Sequence, residues 1–139
     1  MTTRPTANPD LRILVVDDEP FILSVTVHVL QQLGFQKIET ACNGADALNI
    51  MHASTLLFEL IICDLNMPVM DGLDFMKEAQ AVNYAGALVV LSGEEPPALA
   101  AALDFGKECG LSVLAALPKP LEGEQLLDVL IEHGVIKRC

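Results

Sequence analysis

Positive charge is scarce in this chain, and several features that define other protein classes are missing. The 139 residues include 8 Lys and Arg against 19 Asp and Glu, which gives a net charge of −11. Such a surface repels nucleic acids and anionic membranes, so direct binding to either is not expected. No apolar run approaches the roughly 20 residues that a membrane span requires, and the first ten residues contain no apolar signal segment.

Paired cysteines are also missing, because none of the four forms a CxxC motif. Cys42, Cys63 and Cys109 lie in or beside apolar segments, which favours buried thiols in a reducing cytoplasm over disulfides or zinc. We therefore expect a cytoplasmic location. The length favours one domain, and we predict a flexible leader at 1–10, the domain at 11–134, and a tail or the start of a linker at 135–139.

Short apolar runs alternate with helical segments along the chain. Strands are predicted at 12–16, 37–41, 60–64, 87–92 and 112–117, and helices at about 20–33, 45–53, 73–82, 96–109 and 122–133. Uninterrupted apolar strands are typical of a parallel sheet buried on both faces. Five βα units therefore predict an α/β fold with helices on both sides of the sheet. In the first helix, the apolar spacing predicts a core face of Ile22, Val25, Val29 and Leu33.

The side chains that carry chemistry lie where these strands end. Asp17 and Asp18 follow the first strand, Asp64 closes the third, and Ser92 closes the fourth. Lys119 follows the fifth strand. Ligands of open parallel sheets bind beyond the carboxyl ends of the strands. We therefore expect these five side chains to converge on one crevice.

Three clustered carboxylates need a counter-charge to stay ionised. A hard divalent cation such as Mg²⁺ supplies it, and Mg²⁺ prefers oxygen ligands. Asp17, Asp18 and Asp64 would provide the anionic ligands, and the backbone carbonyl of Asn66 would add a neutral one. The pattern predicts a magnesium site, at which Mn²⁺ could substitute.

The other polar groups suit a phosphoryl group beside that cation. Lys119 would hold a phosphoryl oxygen as a point charge, and the Ser92 hydroxyl and the Gly93 N–H would donate to it. An aspartate that faces magnesium, lysine and a hydroxyl indicates a nucleophile that accepts phosphoryl groups. Each residue taken alone also has an ordinary structural interpretation, as a helix cap or an exposed loop lysine.

Four motifs together resemble the receiver domain of two-component response regulators: VVDDEP at 15–20, DLNMPVMDG at 64–72, LSG at 91–93 and PKP at 118–120. The resemblance covers about residues 11–133. It implies a flavodoxin-like three-layer sandwich whose five-stranded parallel sheet has the order 2-1-3-4-5. It also implies a phospho-accepting signalling domain rather than an enzyme.

The resemblance assigns the acidic residues their roles. Asp64 would be the phospho-acceptor, charged by a sensor histidine kinase or a phosphotransfer protein. Asp18 and Asp64 would bind magnesium directly, Asp17 would act mainly through water, and Asn66 would contribute its main-chain oxygen.

The resemblance also describes the switch and one departure from it. Lys119 would pair with the phosphoryl group, its peptide bond to Pro120 would be cis, and Ser92 would move toward the phosphoryl group on activation. Many receivers carry an aromatic residue three positions before the lysine, and its swing reports activation. That position is Ala116 here, and the sole tyrosine, Tyr84, lies elsewhere. We therefore expect phosphorylation without the aromatic swing.

The fourth helix carries a second apolar line of Ala98, Ala101 and Phe105 beside its core stripe. Packing against a neighbouring helix and docking of a second receiver, a kinase or an output domain both account for it. Residues 103–114 also resemble receivers fused ahead of EAL-type cyclic-di-GMP phosphodiesterases, which suggests a C-terminal output domain of that type.

Three other functions fit some of these residues. A degenerate receiver would serve only as a protein-interaction module. A haloacid dehalogenase-type phosphatase also uses a strand-end aspartate, but it requires a second aspartate where this chain has Asn66. A flavodoxin-like FMN carrier requires a phosphate loop rich in Ser, Thr and Gly, whereas residues 17–19 are all acidic.

Overall fold

The computed structural model describes residues 10–53, 57–65, 72–82, 84–93 and 96–136, with the backbone alone for 72–73 and 96–99. Strands and helices alternate through this part of the chain. The strands are β1 (Arg12–Val16), β2 (Lys37–Ala41), β3 (Leu60–Asp64), β4 (Ala87–Ser92) and β5 (Ser112–Pro118). The helices are α1 (Pro20–Gln32), α2 (Gly44–Ala53), α3 (Gly72–Ala81), α4 (Pro96–Glu108) and α5 (Gly123–Glu132).

The five strands form one parallel sheet in the order β2-β1-β3-β4-β5, which confirms the predicted flavodoxin-like fold. The predicted bounds of β1 to β4 agree with those observed, and β5 extends one residue further, to Pro118. The central strands β3 and β4 are buried along their whole length, as expected of a sheet covered on both faces.

Two core clusters cover the two faces of the sheet. The α1/α5 cluster includes Val15 of β1 together with Leu30 and Leu126 of the two helices. The α2–α4 cluster includes Val16 of β1 and Phe75 of α3. Because neighbouring residues of β1 enter different clusters, the sheet is the middle layer of a three-layer sandwich.

The core face predicted for α1 is wrong in part. Thr26 and Leu30 are the buried positions within the helix, whereas Ile22 and Val25 are only half-buried. Leu33, just past the helix end, is buried as predicted. Apolar residues lie on both sides of α1, so helical spacing alone did not determine which side meets the sheet.

The packed structure continues past α5. The N–H groups of Val135 and Ile136 donate to the carbonyl of Leu130, and Ile136 is buried in the α1/α5 cluster. The predicted domain boundary at 134 remains a prediction, and the predicted leader lies almost entirely outside the described residues. Among the described helices, none is long and apolar enough to cross a bilayer.

Candidate functional site

Three aspartates meet at the carboxyl edge of the sheet. Asp64 is the last residue of β3, and Asp17 and Asp18 follow the adjacent β1. Carboxylate oxygens of all three lie within 4.8 Å of one another. Asp17 and Asp64 are buried, and Asp18 is half-buried. The three aspartates therefore converge as expected from the strand ends.

Two hydrogen bonds to the backbone of other residues hold Asp17 in place, one from its own N–H group and one to its side chain. Its N–H donates to the carbonyl of Ala41, the last residue of β2, over 3.1 Å. Its Oδ1 atom accepts the N–H of Glu19, the residue before α1, over 2.9 Å. These contacts hold the carboxylate at the start of the β1–α1 connection. Sequence reasoning did not identify them, although a carboxylate that accepts an N–H two residues ahead is a common Asx turn.

Lys119 joins the acidic cluster from β5. Its Nζ atom lies 3.1 Å from Asp17 Oδ2 and 3.2 Å from Asp64 Oδ1. Its backbone N–H donates to the carbonyl of Ser92 over 3.0 Å. The peptide bond between Lys119 and Pro120 is cis, as expected. The ammonium group therefore bridges two of the three aspartates while its backbone is tied to the end of β4.

The charges of the site determine how Lys119 titrates. Burial alone would lower the pKa of its ammonium group, but the hydrogen bond to Asp17 and the negative charge of Asp64 outweigh burial. The pKa of Lys119 consequently lies above its usual value. The lysine is a fixed positive charge at neutral pH, which is the state that binds a phosphoryl oxygen.

The donor set fits a divalent cation. Three carboxylates face one ammonium group, which leaves an excess of two negative charges in a largely buried crevice. Carboxylate oxygens are the ligands that Mg²⁺ prefers, and Mg²⁺ is commonly held by one or two carboxylates and several waters. Asp17, Asp18 and Asp64 are therefore the residues that could hold it.

The remaining predicted residues differ in what the structure shows. Ser92 ends β4, is buried, and lies opposite Pro118 of β5. Gly93 follows it as an exposed residue, and a Cβ atom added there would meet nothing within 4 Å. Asn66 lies outside the described residues, so its predicted role as a metal ligand remains a prediction.

The predicted partner surface on α4 is only partly exposed. Ala101 is exposed. Phe105 is half-buried, packs against the α2–α4 cluster, and has the ammonium of Lys77 5.8 Å from its ring centroid. The side chain of Ala98 is outside the described part of the chain. Phe105 is thus a contact between α3 and α4 before it is a surface residue.

A comparison with protein families agrees with the strand order, the aspartate cluster and the bridging lysine. Residues 13–131 match the model of the response regulator receiver domain. The chain belongs to this family. The receiver fold is a signalling domain of two-component systems, and this assignment agrees with the motifs noted in the sequence.

Curated relatives of this receiver domain are much longer proteins. The cyclic di-GMP phosphodiesterase RocR of Pseudomonas aeruginosa is 35% identical over 126 residues, which are 90% of this chain and 32% of that protein. The sensor histidine kinase RcsC of Salmonella typhi is 34% identical over 135 residues, which are 95% of this chain and 14% of that protein. The receiver domain thus spans a third or less of these relatives.

Solved structures of similar size share its fold. The chemotaxis protein CheY4 of Vibrio cholerae superposes with a TM-score of 0.69 at 32% identity, covering 87% of this chain and 96% of that one. The receiver domain of the histidine kinase CKI1 from Arabidopsis thaliana, complexed with Mg²⁺ and BeF₃⁻, superposes with a TM-score of 0.72 at 26% identity, covering 89% of each chain.

Proposed function

We propose that this receiver domain is a magnesium-dependent phosphorylation switch whose phospho-acceptor is Asp64. The observation that carries the proposal is the bridge of Lys119 to Asp64 and Asp17, at 3.2 and 3.1 Å, within a cluster of three carboxylates. A structural ion pair needs one carboxylate for one lysine. The additional acidic groups are accounted for when a cation and a transferable phosphoryl group also belong to the site.

Each residue of the site has a separate role in the proposed phosphoryl transfer. A carboxylate oxygen of Asp64 forms a bond to phosphorus while the P–N bond of a phosphohistidine breaks, and the freed imidazole nitrogen keeps the electron pair of that bond. Lys119 neutralises charge on the transferred group. Asp17, Asp18 and Asp64 would hold Mg²⁺, which when bound screens the negative charges of the donor and acceptor groups. The backbone of Asn66 is proposed as a further ligand.

The phosphorylated domain would act by favouring one of two conformations. We assign Ser92, with the N–H of Gly93, to the group that responds to the phosphoryl oxygens. Ala116 is half-buried beside the α2–α4 cluster and has no ring to rotate. The switch proposed here therefore works without an aromatic swing.

Partners of the switch follow from the proposed chemistry. RcsC and CKI1 are histidine kinases by name, and we propose a sensor histidine kinase or a phosphotransfer protein as the phosphoryl donor, in the cytoplasm. RocR is a cyclic di-GMP phosphodiesterase by name, and we propose an output domain of that class in a longer protein. The family match favours this switch over a haloacid dehalogenase-type phosphatase or an FMN carrier.

The central test is covalent labelling of Asp64. The domain, incubated with phosphoramidate or acetyl phosphate and Mg²⁺, should gain the mass of one phosphoryl group by intact mass spectrometry. Asp64→Asn should gain none, because an amide is a far poorer nucleophile than a carboxylate. Asp128→Asn, which removes an equal charge from an exposed position of α5, should label like the wild type.

Two results would contradict this assignment. Labelling of Asp64→Asn would place the acceptor elsewhere. Failure of the wild type to label with Mg²⁺ present would favour the alternative of a degenerate receiver that acts only as a protein-interaction module.

The predicted partner surface on α4 is proposed as a homodimer contact. Its test compares a substitution at an exposed residue with one at a packed residue. Ala101→Asp adds a charge at an exposed position and should weaken self-association of the phosphorylated domain in sedimentation experiments. Phe105→Asp should also lower the free energy of unfolding, by about 1–3 kcal/mol, because its ring is half-buried. Labelling of Asp64 should persist in both variants. Unchanged self-association of Ala101→Asp in both phosphorylation states would remove the proposed contact.

A further inference from the structure

The strand that delivers Lys119 to the site is one residue longer than the strand it pairs with. At one end of this pair, Ala87 of β4 lies opposite Ser112 of β5. At the other end, Ser92 lies opposite Pro118. Six residues of β4 therefore face seven residues of β5.

The extra residue lies at a defined position. Leu88 of β4 faces Val113, but the next residue, Val89, faces Ala115. Leu114 has no opposite residue in β4, so it forms a β-bulge. The pairing is regular again from Ala115 to the end of the strand.

The core packing shows the bulge independently of the pairing. Val113 belongs to the α2–α4 cluster, and Ala116 packs against the same cluster. Between them, Leu114 and Ala115 both pack against the α1/α5 cluster. Successive residues of a regular strand point to opposite faces, so two neighbours on one face mark the place where the strand takes up its extra residue.

The position of the bulge determines where Lys119 lies. With the bulge at Leu114, Pro118 faces Ser92, and the N–H of Lys119 reaches the Ser92 carbonyl at 3.0 Å. If the same residues paired regularly from the start of β5, Leu117 would face Ser92. Lys119 would then lie one residue, about 3.3 Å, further along and would point to the opposite face. Ion pairs of 3.1 and 3.2 Å would not survive that reversal.

We propose that the bulge at Leu114 is the positioning element that keeps Lys119 in contact with Asp17 and Asp64. The inference deepens the proposed phosphorylation of Asp64 and rests on it. What matters is that the extra residue is taken up before Ala115, early in the strand. The side chain of Leu114 has no direct part in the chemistry.

The test moves the extra residue along the strand at constant length. Both test variants lack Leu114. The distal variant carries a glycine between Leu117 and Pro118, and the proximal variant carries it before β5, directly after the exposed Gly110. Deletion of Leu114 alone, which leaves six residues opposite six, serves as the reference. Circular dichroism checks that each variant is folded.

The expected results follow from the register. Deletion of Leu114 and the proximal variant should label with phosphoramidate at close to the wild-type rate, because Lys119 stays one residue past Ser92. The distal variant should fall to the rate of Lys119→Met. It should also bind Mg²⁺ more tightly than the proximal variant in calorimetric titration, because Asp17 and Asp64 lose the competing ammonium group. A purely structural role for the bulge would not raise affinity for Mg²⁺.

Several outcomes would overturn the inference. These are equal labelling of the distal and proximal variants, loss of labelling in a folded Leu114 deletion, and equal Mg²⁺ affinity of the two insertion variants. If the deletion unfolds the domain, the same two glycine insertions in a chain that retains Leu114 carry the comparison, with the same expectations. A wild type that does not label would refute the proposed function alone, and the order of Mg²⁺ affinities would still decide whether the bulge positions Lys119.

Discussion

Both edges of the sheet carry ion pairs of nearly equal length, but their surroundings differ. At the carboxyl edge, Lys119 lies 3.1 Å from Asp17, whose side chain is 3% exposed. At the amino edge, Arg12 lies 3.1 Å from Glu39, whose side chain is 50% exposed. Exposed pairs contribute little to stability because water and salt screen them, whereas a buried charge that loses its partner is costly. The distance between two charges therefore says less about their role than their burial does.

The charged and polar side chains at the amino edge are better explained by a role in local packing. The guanidinium of Arg12 lies 4.7 Å from the ring centroid of Phe58, and its backbone N–H donates to a carboxylate oxygen of Glu59. Tyr84 donates its hydroxyl to the carbonyl of Ala87, the first residue of β4. These contacts are local packing and single hydrogen bonds, whereas the carboxyl edge holds more negative charge than its lysine neutralises.

The largest difference between the edges should appear when Lys119 is replaced. Lys119→Met should slow labelling of Asp64 by phosphoramidate about 100-fold or more, because one preorganised charge at the transferred group is lost. Lys107→Met, which removes an exposed lysine from α4, should label normally. Measurement of both rates by intact mass distinguishes the two. A normal rate for Lys119→Met would remove the lysine from the proposed mechanism.

A smaller difference between the ion pairs of the two edges should appear in the free energy of unfolding at alkaline pH. The pKa of Lys119 lies above 10.5 in the folded domain, so its contribution to stability is complete below pH 10.5. That contribution is lost as the pH rises through the folded pKa. Urea unfolding across this range should show the difference in free energy of unfolding between wild type and Lys119→Met changing with pH.

The matching difference for Glu39→Gln should stay constant over the same pH range, because the ion pair of Glu39 contains no lysine. Burial, and then the negative charge of Glu59, raise the pKa of Tyr84. Tyr84 is present in all these variants, so its contribution cancels from both differences. If the difference in free energy of unfolding between wild type and Lys119→Met did not change with pH, the two aspartates would not stabilise the charged form of the Lys119 ammonium group.

The smallest effect is expected at the amino edge itself. Glu39→Gln should change the free energy of unfolding by less than about 1 kcal/mol, because the Glu39 side chain is half exposed to solvent. Labelling of Asp64 should be unaffected. A loss above about 2 kcal/mol in urea titration would show that the exposed pair is stronger than its surroundings suggest, and would weaken the contrast between the two edges.

Much of the fold and the acidic part of the site could be predicted from residue order alone. The bounds of β1, β3 and β4 follow from apolar runs that stop at polar or charged residues, and the strand-end rule brought Asp17, Asp18, Asp64 and Lys119 together. These predictions succeeded because the carboxyl ends of parallel strands must meet at one edge. The place of Phe105 was harder to assign, because helical spacing does not say which neighbour covers an apolar line.

The sequence by itself determined which residues end the strands and therefore which charges share the crevice. Only the tertiary structure decided that Thr26 and Leu30 of α1 face the sheet, and that Leu114 is bulged. The physical reason is the same for both. An element that is apolar on all sides carries no period that marks a face or a register, so packing and pairing with neighbours must choose. In β5 that choice also decides whether Lys119 meets the aspartates.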